Sequence, residues 1–475
     1  MIQQVRCIRK AQQAVTTKQM MAQTLTLRSA LTSILALATL TLQAFAIDLN
    51  VNSTESINDA CQLIATGLMD YNWGKDYGGT VGMFTHPYYW WEAGGAWGSM
   101  IDYTYFFDND TYVDTIIQAM MYQKGDDSNF MPLNQTSTEG NDDQVFWGIA
   151  AIQAAERNFT SPGQNEPSWF ELATATFNTM KNRWDNEYCG GGLRWQIFQW
   201  NNGYDYKNTV SNAGLFHLGA RLLRYTGNDT YYKEWCERTY DWLVDVDFVD
   251  EQLWRAYDGA EIDNNCTHKT YYLWSYNLAL LISGCAYMYN YTGEEVWHTR
   301  TLGFLKGAQV FFDEYEVMYE SACMRVHTCK TDQRSFRAYL ARFLGLTAVL
   351  VPDTFETIYG MLEATAKGVA QSCTGGYDHH TCGMNWSYSG WDGYYGLGEQ
   401  MSSLEVVQNL MIKEKQMILK LDTGAVSKGS PDFGNETYKP EAKLLDLDKG
   451  DTAGAAIITV IIGITIVLLG YAVIF

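Results

Sequence analysis

The stretch NDDQVFWGIAAIQAAER, residues 141–157, decides the fold class, because it reads as an amphipathic helix that follows a long irregular segment. Val145, Ile149 and Ile152 recur at the spacing of one helical face. The same spacing returns along the chain, for example in MSSLEVVQNLM at 401–411. The pattern therefore predicts a chain built mainly from helices.

Twelve segments share this helical periodicity. Each is long enough for a helix of a globular domain, and most connections carry glycine, asparagine or proline. The predicted helices are 56–70, 88–106, 112–124, 142–157, 167–183, 209–225, 229–244, 271–291, 294–313, 333–347, 354–371 and 398–413.

The connections between these helices alternate in length. Short connections, which follow even-numbered helices, make neighbouring helices antiparallel. The alternation predicts an all-α fold, an (α/α)6 toroid of the six-hairpin type, with the long loops forming a cleft on one face. The long loops are 71–87, 125–141, 184–208, 245–270, 314–332 and 372–397, and the short ones are 107–111, 158–166, 226–228, 292–293 and 348–353.

The beginning of the chain has the layout of a secretory signal. Residues 1–46 contain no Asp or Glu, and five basic residues precede an apolar run that ends at Ala44-Phe45-Ala46. A basic region, a short apolar region and small residues at the cleavage site define a signal peptide. We predict a signal peptide at 1–46, with Met20 and Met21 as alternative starts.

The end of the chain is apolar from Ala455 to Phe475, and no Lys or Arg follows. Small residues before such a tail are typical of a GPI-anchor signal, whereas a transmembrane helix normally keeps positive charge beyond it. We predict a GPI-anchor signal at 451–475, with a transmembrane helix as the alternative. The remaining boundaries are a catalytic domain at 47–414 and a polar stalk at 415–450.

Composition and net charge narrow the range of possible binding partners. The formal net charge is −21, and 47% of the residues are hydrophobic. The negative charge argues against nucleic acid and anionic lipid as partners, while the hydrophobic content suffices for a large core. With both terminal signals, the expected location is the secretory pathway and the cell surface, on the plasma membrane or in the cell wall.

Nine of the ten cysteines lie beyond the predicted signal peptide, so at least one is unpaired within the chain. Cys323 and Cys329, and likewise Cys373 and Cys382, are close enough in sequence to form local disulfides. The pair His379-His380 beside Cys373 and Cys382 suggests zinc, but the spacing matches no familiar zinc pattern. In an exported protein we favour disulfides, and no motif calls for a metal or another cofactor.

Nine Asn-x-Ser/Thr sequons predict surface positions. Four of them lie in or beside short connections, which would keep bulky glycans mostly away from the long loops. The nine are Asn52, Asn109, Asn134, Asn158, Asn228, Asn265, Asn290, Asn385 and Asn435.

Asp142 and Asp143 are the sharpest candidates for chemistry. One interpretation is structural, because Asn141 or Asp142 makes a good N-cap and acids suit the first turn of a helix. The other is catalytic, because adjacent carboxylates compete for one proton and glycosidases use a pair of carboxylates. Their place after a long loop favours the catalytic interpretation.

The segment Asn141-Asp142-Asp143-Gln144-Val145-Phe146-Trp147-Gly148 resembles the active-site helix of the endo-α-1,6-mannanases, glycoside hydrolase family seventy-six. The resemblance covers most of residues 47–413 and is strongest to the fungal GPI-anchored cell-wall members. It continues through Trp91-Glu92-Ala93-Gly94, Gly191-Gly192-Leu193-Arg194-Trp195, Tyr206-Lys207-Asn208, Ser211-Asn212, Trp391-Asp392-Gly393 and Gly396-Leu397-Gly398-Glu399-Gln400-Met401.

The resemblance implies that Asp142 is the nucleophile and Asp143 the general acid/base of a retaining enzyme. It also implies a substrate of α-mannan or a GPI-type glycan, with wall glucan as a possible acceptor. Aromatic residues supply stacking faces in a sugar cleft, and amides, acids and lysine supply polar contacts. The predicted substrate-binding residues are Trp90, Trp91, Asn141, Trp195, Tyr206, Lys207, Asn208, Asn212, Tyr276, Asn277, Trp391 and Asp392.

The resulting hypothesis is a mannan endo-1,6-α-mannosidase-like enzyme of cell-wall biogenesis. Water as acceptor makes it a hydrolase and a sugar hydroxyl makes it a transglycosylase, and the sequence leaves both open. Two alternatives remain: an inverting hydrolase, and a non-catalytic glycan-binding or scaffold protein on the same fold.

Overall fold

The computed structural model describes residues 46–73, 78–135, 138–435 and 449–474. Almost all of the predicted signal peptide and residues 436–448 of the predicted stalk lie outside these ranges. Contacts group the chain into two units. Unit 1 extends to Ile116 and resumes over Leu273–Met417, whereas unit 2 comprises Ile117–Tyr272 and the residues from Ile418 onward.

The twelve predicted helices are all present in the described residues. They are α1 (Thr54–Met69), α2 (Trp90–Phe107), α3 (Val113–Gln123), α4 (Asn141–Glu156), α5 (Trp169–Lys181), α6 (Thr209–Thr226), α7 (Glu234–Asp245), α8 (Ser275–Thr292), α9 (Glu295–Gly307), α10 (Thr331–Leu350), α11 (Phe355–Ser372) and α12 (Leu397–Gln408).

Three predicted α-helices are partly π-helical or 3-10 helical. The segment predicted at 229–244 begins with a π-helix, Asp229–Lys233. Those predicted at 294–313 and 398–413 end in 3-10 turns, Ala308–Phe311 and Asn409–Lys413. Hydrophobic spacing places a helical turn but does not distinguish its hydrogen-bonding pattern, so these differences are invisible in the sequence.

In unit 1, α10 packs against α8, α11 and α12. Its Arg342 is 1% exposed and donates to Glu405 Oε1 of α12 at 2.7 Å and to Ser99 Oγ of α2 at 2.6 Å. A side chain at Gly98 would meet the guanidinium, since a Cβ there would lie 2.5 Å from Arg342 Nη1. Buried charge thus fixes three helices, because a lone buried guanidinium would be costly.

In unit 2, α4 packs against α5 and α6, and α6 packs against α7. Gly148 of α4 lies close to α5, because a Cβ there would stand 2.6 Å from Thr176 Cγ2. Arg221 of α6 and Glu156 of α4 form a buried ion pair. The helix that carries Asp142 and Asp143 is therefore fixed along its length by two neighbours.

The loops predicted at 184–208 and 245–270 are not wholly irregular. They contain β1 (Tyr206–Asn208), β2 (Val249–Asp250) and β3 (Arg255–Glu261), and β4 (Lys269–Leu273) follows. β3 pairs antiparallel with β1, with Asn208 opposite Gly259, and also pairs with β2 and β4. The helix predicted from 271 therefore begins only at Ser275, because the residues before it extend the sheet.

Three disulfides occur in the described residues. Cys323–Cys329 and Cys373–Cys382 confirm the two predicted local disulfides, and Cys189–Cys266 closes a separation of 77 residues. The alternative of zinc bound by Cys373 and Cys382 is therefore excluded. Cys61, Cys236 and Cys285 are buried and take part in none of these three disulfides, and no cluster of potential metal ligands was found in the described residues.

Residues 418–435 form a strap on unit 2, so the expected polar stalk is corrected over this range. Leu419 N donates to Glu156 O at 3.0 Å, and Ser427 Oγ accepts from Phe170 N at 2.9 Å. Asn178 Nδ2 donates to the carbonyls of Pro431 and Phe433. The mixed polar composition of this range predicted a stalk. Its actual contacts are isolated hydrogen bonds to a helical surface, and such contacts leave no periodic pattern in the sequence.

The last described helix is α13 (Lys449–Ile474). Several of its apolar side chains are exposed, among them Ile457, Ile462 and Leu469. None of the helices within the described ranges meets the combined criteria of length and hydropathy for a membrane span.

Asn158 holds the strap through both ends of its amide, which yields a first test. Its Nδ2 donates to Gly424 O at 3.2 Å, and its Oδ1 accepts from Val426 N at 2.9 Å. Asn158→Gly keeps the left-handed backbone (φ 51°) unstrained but removes both bonds. We expect the free energy of unfolding in urea to fall by about 1–3 kcal/mol.

The matched control is Thr160→Ala, which removes the same Asn-x-Ser/Thr sequon but keeps the Asn158 amide. It should leave the free energy of unfolding unchanged. Equal losses in both variants would attribute the effect to a glycan rather than to the strap.

Candidate active site

The candidate site is the first turn of α4. Gly140 is the N-cap, which corrects the expectation that Asn141 or Asp142 fills that position. Gly140 N donates to Asp143 Oδ2 at 2.6 Å, and Asp143 N donates to Asp142 Oδ1 at 3.0 Å. Both carboxylates therefore accept from backbone amides that a helix start leaves free.

The two carboxylates converge on Gly140. A Cβ at this glycine would lie 2.4 Å from Asp142 Oδ1 and 3.1 Å from Asp143 Oδ2. These two oxygens are therefore no further apart than the two distances combined. The same Cβ would lie 3.1 Å from Trp195 O. Any residue larger than glycine at position 140 would therefore disturb both the carboxylates and the segment that contains Trp195.

A second segment, residues 193–196, holds this turn in place. Asn141 N donates to Trp195 O at 2.8 Å, and Asn141 Nδ2 donates to Arg194 O at 2.9 Å. Gly140 forms an isolated antiparallel bridge with Gln196. Backbone contacts of this kind fix the first turn more firmly than side-chain packing alone.

Asn208 links the site to the start of α6. Its Oδ1 caps that helix by accepting from Ser211 N at 3.2 Å, while its Nδ2 donates to Asp142 Oδ2 at 3.3 Å. The prediction that Asn208 belongs to the site is consistent with this contact. In the unliganded protein it orients the Asp142 carboxylate.

Burial raises the pKa of Asp142 well above its usual value, and the Asp143 carboxylate raises it further. Hydrogen bonds from Asp143 N and Asn208 oppose this shift because they stabilise the ionised form. Two adjacent carboxyl groups in such a place favour a state in which they share a single proton. One acid and one carboxylate side by side is the composition that acid/base chemistry requires.

Glu139 is a third acid that sequence reasoning missed. It is 2% exposed, and neither carboxyl oxygen has a hydrogen-bond partner among the described residues. Burial raises the pKa of Glu139 well above its usual value, Asp143 raises it further, and Arg183 lowers it. Its place three residues before Asp142 was visible in the sequence, but its burial was not.

Arg183 was also missed. Its Nε donates to Asn141 Oδ1 at 2.7 Å, and its Nη2 donates to Gln144 Oε1. Arg183 therefore supplies positive charge near Glu139 and ties the start of α4 to the end of α5. Nothing in the pattern around residue 183 distinguishes it from a surface arginine.

Three residues predicted to bind substrate are instead buried supports. Lys207 is 0% exposed, and its Nζ donates to the carbonyls of Asp185, Tyr188 and Gly191 at 2.6–3.0 Å. Asn212 bonds to both the N–H and the carbonyl of Leu193. Asn141 has its amide occupied as described above, so for all three the predicted sugar contact is corrected to an internal role.

Trp195 remains a candidate stacking face. Its side chain is 37% exposed, and its ring lies on Gly203, where a Cβ would approach to 2.3 Å. Tyr206 meets this ring edge-on at 6.4 Å, and its hydroxyl donates to Asp258 Oδ2 at 2.6 Å. One face of the Trp195 ring thus packs on Gly203 and the other is exposed to solvent. The Tyr206 hydroxyl, in contrast, is already hydrogen-bonded to Asp258.

Six predicted residues lie in unit 1, and Trp90, Trp91, Tyr276 and Asn277 are four of them. Trp90 is 5% and Trp91 9% exposed, and Trp91 lies 6.4 Å from Tyr276. Tyr276 stacks on Phe336 at 3.8 Å. Asn277 is 1% exposed, and its amide has no partner among the described residues. Trp90, Trp91 and Asn277 are therefore largely buried in the unliganded protein, and their contact with sugar stays a prediction.

Trp391 and Asp392, also in unit 1, organise their own loop. Asp392 accepts from the backbone amides of Met384, Asn385 and Tyr394 at 2.8–3.2 Å. The Trp391 indole donates to Tyr394 O at 2.6 Å. Asp392 is therefore a loop-forming carboxylate, and Trp391 keeps only its partly exposed ring for a ligand.

Glu139 gives a test of these electrostatics. Its folded-state pKa is raised, so the stability it contributes is present below its unfolded pKa of about 4.3 and is lost as pH rises. Glu139→Gln cannot ionise. We expect the stability of the variant relative to wild type to rise with pH above about 4, by up to about 1.4 kcal/mol per pH unit, and the measured range runs from pH about 4 to about 8.

The measurement is urea unfolding of both proteins across that pH range. Glu187→Gln is the control, because Glu187 is an exposed carboxylate of the same unit. A stability difference that stays flat with pH would contradict a neutral, buried Glu139.

Comparison with known proteins adds independent findings. The model of Glycosyl hydrolase family 76 matches residues 56–422. Mannan endo-1,6-alpha-mannosidase DCW1 of Saccharomyces cerevisiae is 56% identical over 423 residues, which cover 89% of this chain and 94% of the relative. Both findings agree with the family resemblance of the motifs.

Solved structures agree on the fold. Dfg5 from Chaetomium thermophilum, in complex with glucosamine, has a TM-score of 0.78 at 36% identity, covering 81% of this chain and 97% of that one. The α-1,6-mannanase GH76A of Salegentibacter sp. HEL1_6 has a TM-score of 0.60 at 16% identity, covering 75% and 100%. These neighbours have the (α/α)6 toroid, so the predicted fold class is confirmed. The chain belongs to Glycosyl hydrolase family 76, a family of glycoside hydrolases.

Proposed function

We propose that the protein is a retaining glycosidase or transglycosylase that cleaves α-1,6-linked mannose glycans. The observation that carries the proposal is the convergence of Asp142 and Asp143 on Gly140 at the start of α4. Retaining enzymes need carboxyl groups about 5–5.5 Å apart, whereas inverting enzymes leave room for a water at about 6.5–9.5 Å. The upper bound set by Gly140 supports the retaining geometry.

In the first step, the Asp142 carboxylate attacks the anomeric carbon while Asp143 gives its proton to the departing glycosidic oxygen. The bond to the leaving group breaks and an ester between Asp142 and the sugar forms. The contact from Asn208 Nδ2 supports this role, because it orients the attacking carboxylate and favours its ionised form against the burial that raises its pKa. The total charge of the pair stays constant, since one anion is consumed as another appears.

In the second step, Asp143 takes a proton from the acceptor, whose oxygen displaces Asp142 from the sugar. Water gives hydrolysis, and a sugar hydroxyl gives transfer. The Gly140 N–H that bonds to Asp143 stabilises its ionised form between the steps.

Several findings support the substrate class. The Saccharomyces cerevisiae relative is named for endo-1,6-α-mannosidase activity, and the Chaetomium thermophilum relative binds glucosamine. A GPI-type glycan contains both mannose and glucosamine, so we propose it as donor alongside α-mannan. Wall glucan is the proposed acceptor in transfer, and the proposed role is cell-wall biogenesis.

We also propose that the protein is exported and held at the cell surface by a GPI anchor. The acid-free segment at 1–46, in which basic residues precede an apolar run, and the apolar segment at 455–475, preceded by small residues, support this location. The sequons support passage through a glycosylating compartment.

The test uses purified full-length protein with α-1,6-mannooligosaccharides, with and without glucan acceptor. Wild type should give shorter products, or longer ones when it transfers. Asp142→Asn and Asp143→Asn should each lose at least about a hundredfold in kcat/KM, because each removes one half of the two-step chemistry.

An α-1,6-mannobiosyl fluoride separates the two roles, because fluoride leaves without a proton. Asp143→Asn should still release fluoride in a first turnover, and azide should restore its turnover. Asp142→Asn should release none. The control is Asp127→Asn, an exposed acid of the preceding loop. Full activity in both site variants would refute the assignment.

A further inference from the structure

The sequon Asn265-Cys266-Thr267 contains a cysteine that the folded chain uses in a disulfide. Asn265 is a site for an N-linked glycan, while Cys266, the middle residue, bonds to Cys189. None of the other sequons in the sequence contains a cysteine. Two covalent modifications therefore meet on three consecutive residues of unit 2.

The folded turn holds this sequon in an uncommon backbone conformation. Asn265 and Cys266 are left-handed, with φ of 54° and 59°, and Cys189 has a φ of 56°. Asparagine tolerates this region, whereas cysteine rarely adopts it. The bond between the two cysteines and the contacts around it therefore hold both of them there, and an open chain would leave this conformation.

The side chains that define the sequon are also engaged in the turn. Asn265 Oδ1 accepts from Cys189 N at 2.7 Å, so the backbone of the partner cysteine orients the asparagine amide. The Thr267 hydroxyl donates to Asn264 O at 2.8 Å. An oligosaccharide transferase must bind residues 265–267 together, and the closed turn keeps both the amide and the hydroxyl from reorienting towards it.

The order of synthesis brings the two modifications into competition. Cys189 precedes Cys266 by 77 residues, so its thiol is already present when the sequon is made. At about 5–20 residues per second the lead is about 4–15 s, and disulfides form over seconds or longer. Closure of the turn and modification of the new sequon therefore fall in the same interval.

We propose that closure of the Cys189–Cys266 disulfide competes with glycosylation of Asn265 and thereby limits the fraction of chains that carry a glycan there. The inference rests on the proposed export of the protein, because both reactions belong to the secretory compartment. It is independent of the assignment of Asp142 and Asp143.

The two reactions consume different groups of one turn. In glycosylation, Asn265 Nδ2 attacks the anomeric carbon of a lipid-pyrophosphate-linked oligosaccharide, loses one proton and expels the lipid pyrophosphate. In closure, the thiols of Cys189 and Cys266 lose two protons and two electrons, which reduce a protein disulfide of the compartment to a dithiol.

The outcome depends on which reaction comes first. A glycan added first does not prevent closure, because Asn265 and Thr267 are exposed and a cavity of about 350 Å³ adjoins Asn265. Closure that comes first fixes the sequon in the turn before transfer. Both orders lead to the same fold, with and without the glycan.

The experiment expresses the full-length chain in a fungal host. Mass spectrometry measures the occupancy of Asn265 in all chains, secreted and retained, after each glycan is trimmed to one sugar. Cys189→Ser removes the disulfide and leaves the sequon intact. We expect occupancy to rise at least about twofold in this variant, because an open chain stays accessible beyond the seconds that closure takes. A reductant during synthesis should raise wild-type occupancy to the same level.

Cys373→Ser is the matched control, because it removes the Cys373–Cys382 disulfide and leaves the turn at Asn265 intact. It should not change the occupancy of Asn265. Equal occupancy in wild type and Cys189→Ser would overturn the proposal. An equal rise in both cysteine variants would overturn it as well, because slower folding in general would then be the cause.

Asn228 separates this inference from the proposed export, because its sequon lacks cysteine and lies in the same unit. An occupied Asn228 with an Asn265 that does not respond to Cys189→Ser would count against this inference alone. Asn228 and Asn265 both bare in wild type and in Cys189→Ser would count against export and against this inference together.

Discussion

The close approach of backbone at Gly140 is the constraint on which the candidate site depends. Two carboxylates and the Trp195 carbonyl occupy the space that a side chain would need there. The helix start presents free amides to the acids, while the neighbouring segment fixes the direction of the turn. Adjacent acids in a mid-helix position would diverge, but here the helix start lets them converge.

Buried charged side chains in the neighbouring glycine-rich loop support the first turn of α4. The ammonium of Lys207 holds the carbonyls of the glycine-rich loop at Tyr188 and Gly191, and Asp185 balances both Lys207 and Arg194. Burial lowers the pKa of Lys207 to about 8, while Asp185 opposes that shift. The disulfide Cys189–Cys266 ties the same loop to the segment after β3. Lys207, which the family motif suggests as a sugar-binding residue, thus contributes by shaping the loop.

The sequence predicted the helices well because burial of one face imposes a spacing that can be read locally. Val145, Ile149 and Ile152 are all buried as that spacing requires. The strands of residues 206–273 and the strap were missed, because their hydrogen bonds join segments far apart in the chain. Sequence reasoning singled out Asp142, Asp143 and Asn208, which the structure brings together at the candidate site, whereas the importance of Glu139 and Arg183 becomes visible only from burial and contacts. Motif identity could not separate Lys207 and Asn212, which support the site, from residues with exposed surface such as Trp195.

The central claim is that Asp142 and Asp143 act as the nucleophile and acid/base of a double displacement. The most direct measurement is proton NMR of the first products released from an α-1,6-mannooligosaccharide, before mutarotation equilibrates the anomers. The account predicts that the new reducing end, or the new linkage in a transfer product, appears first in the α configuration. Initial appearance of the β anomer would mean a single displacement and would contradict the assignment of the two carboxylates.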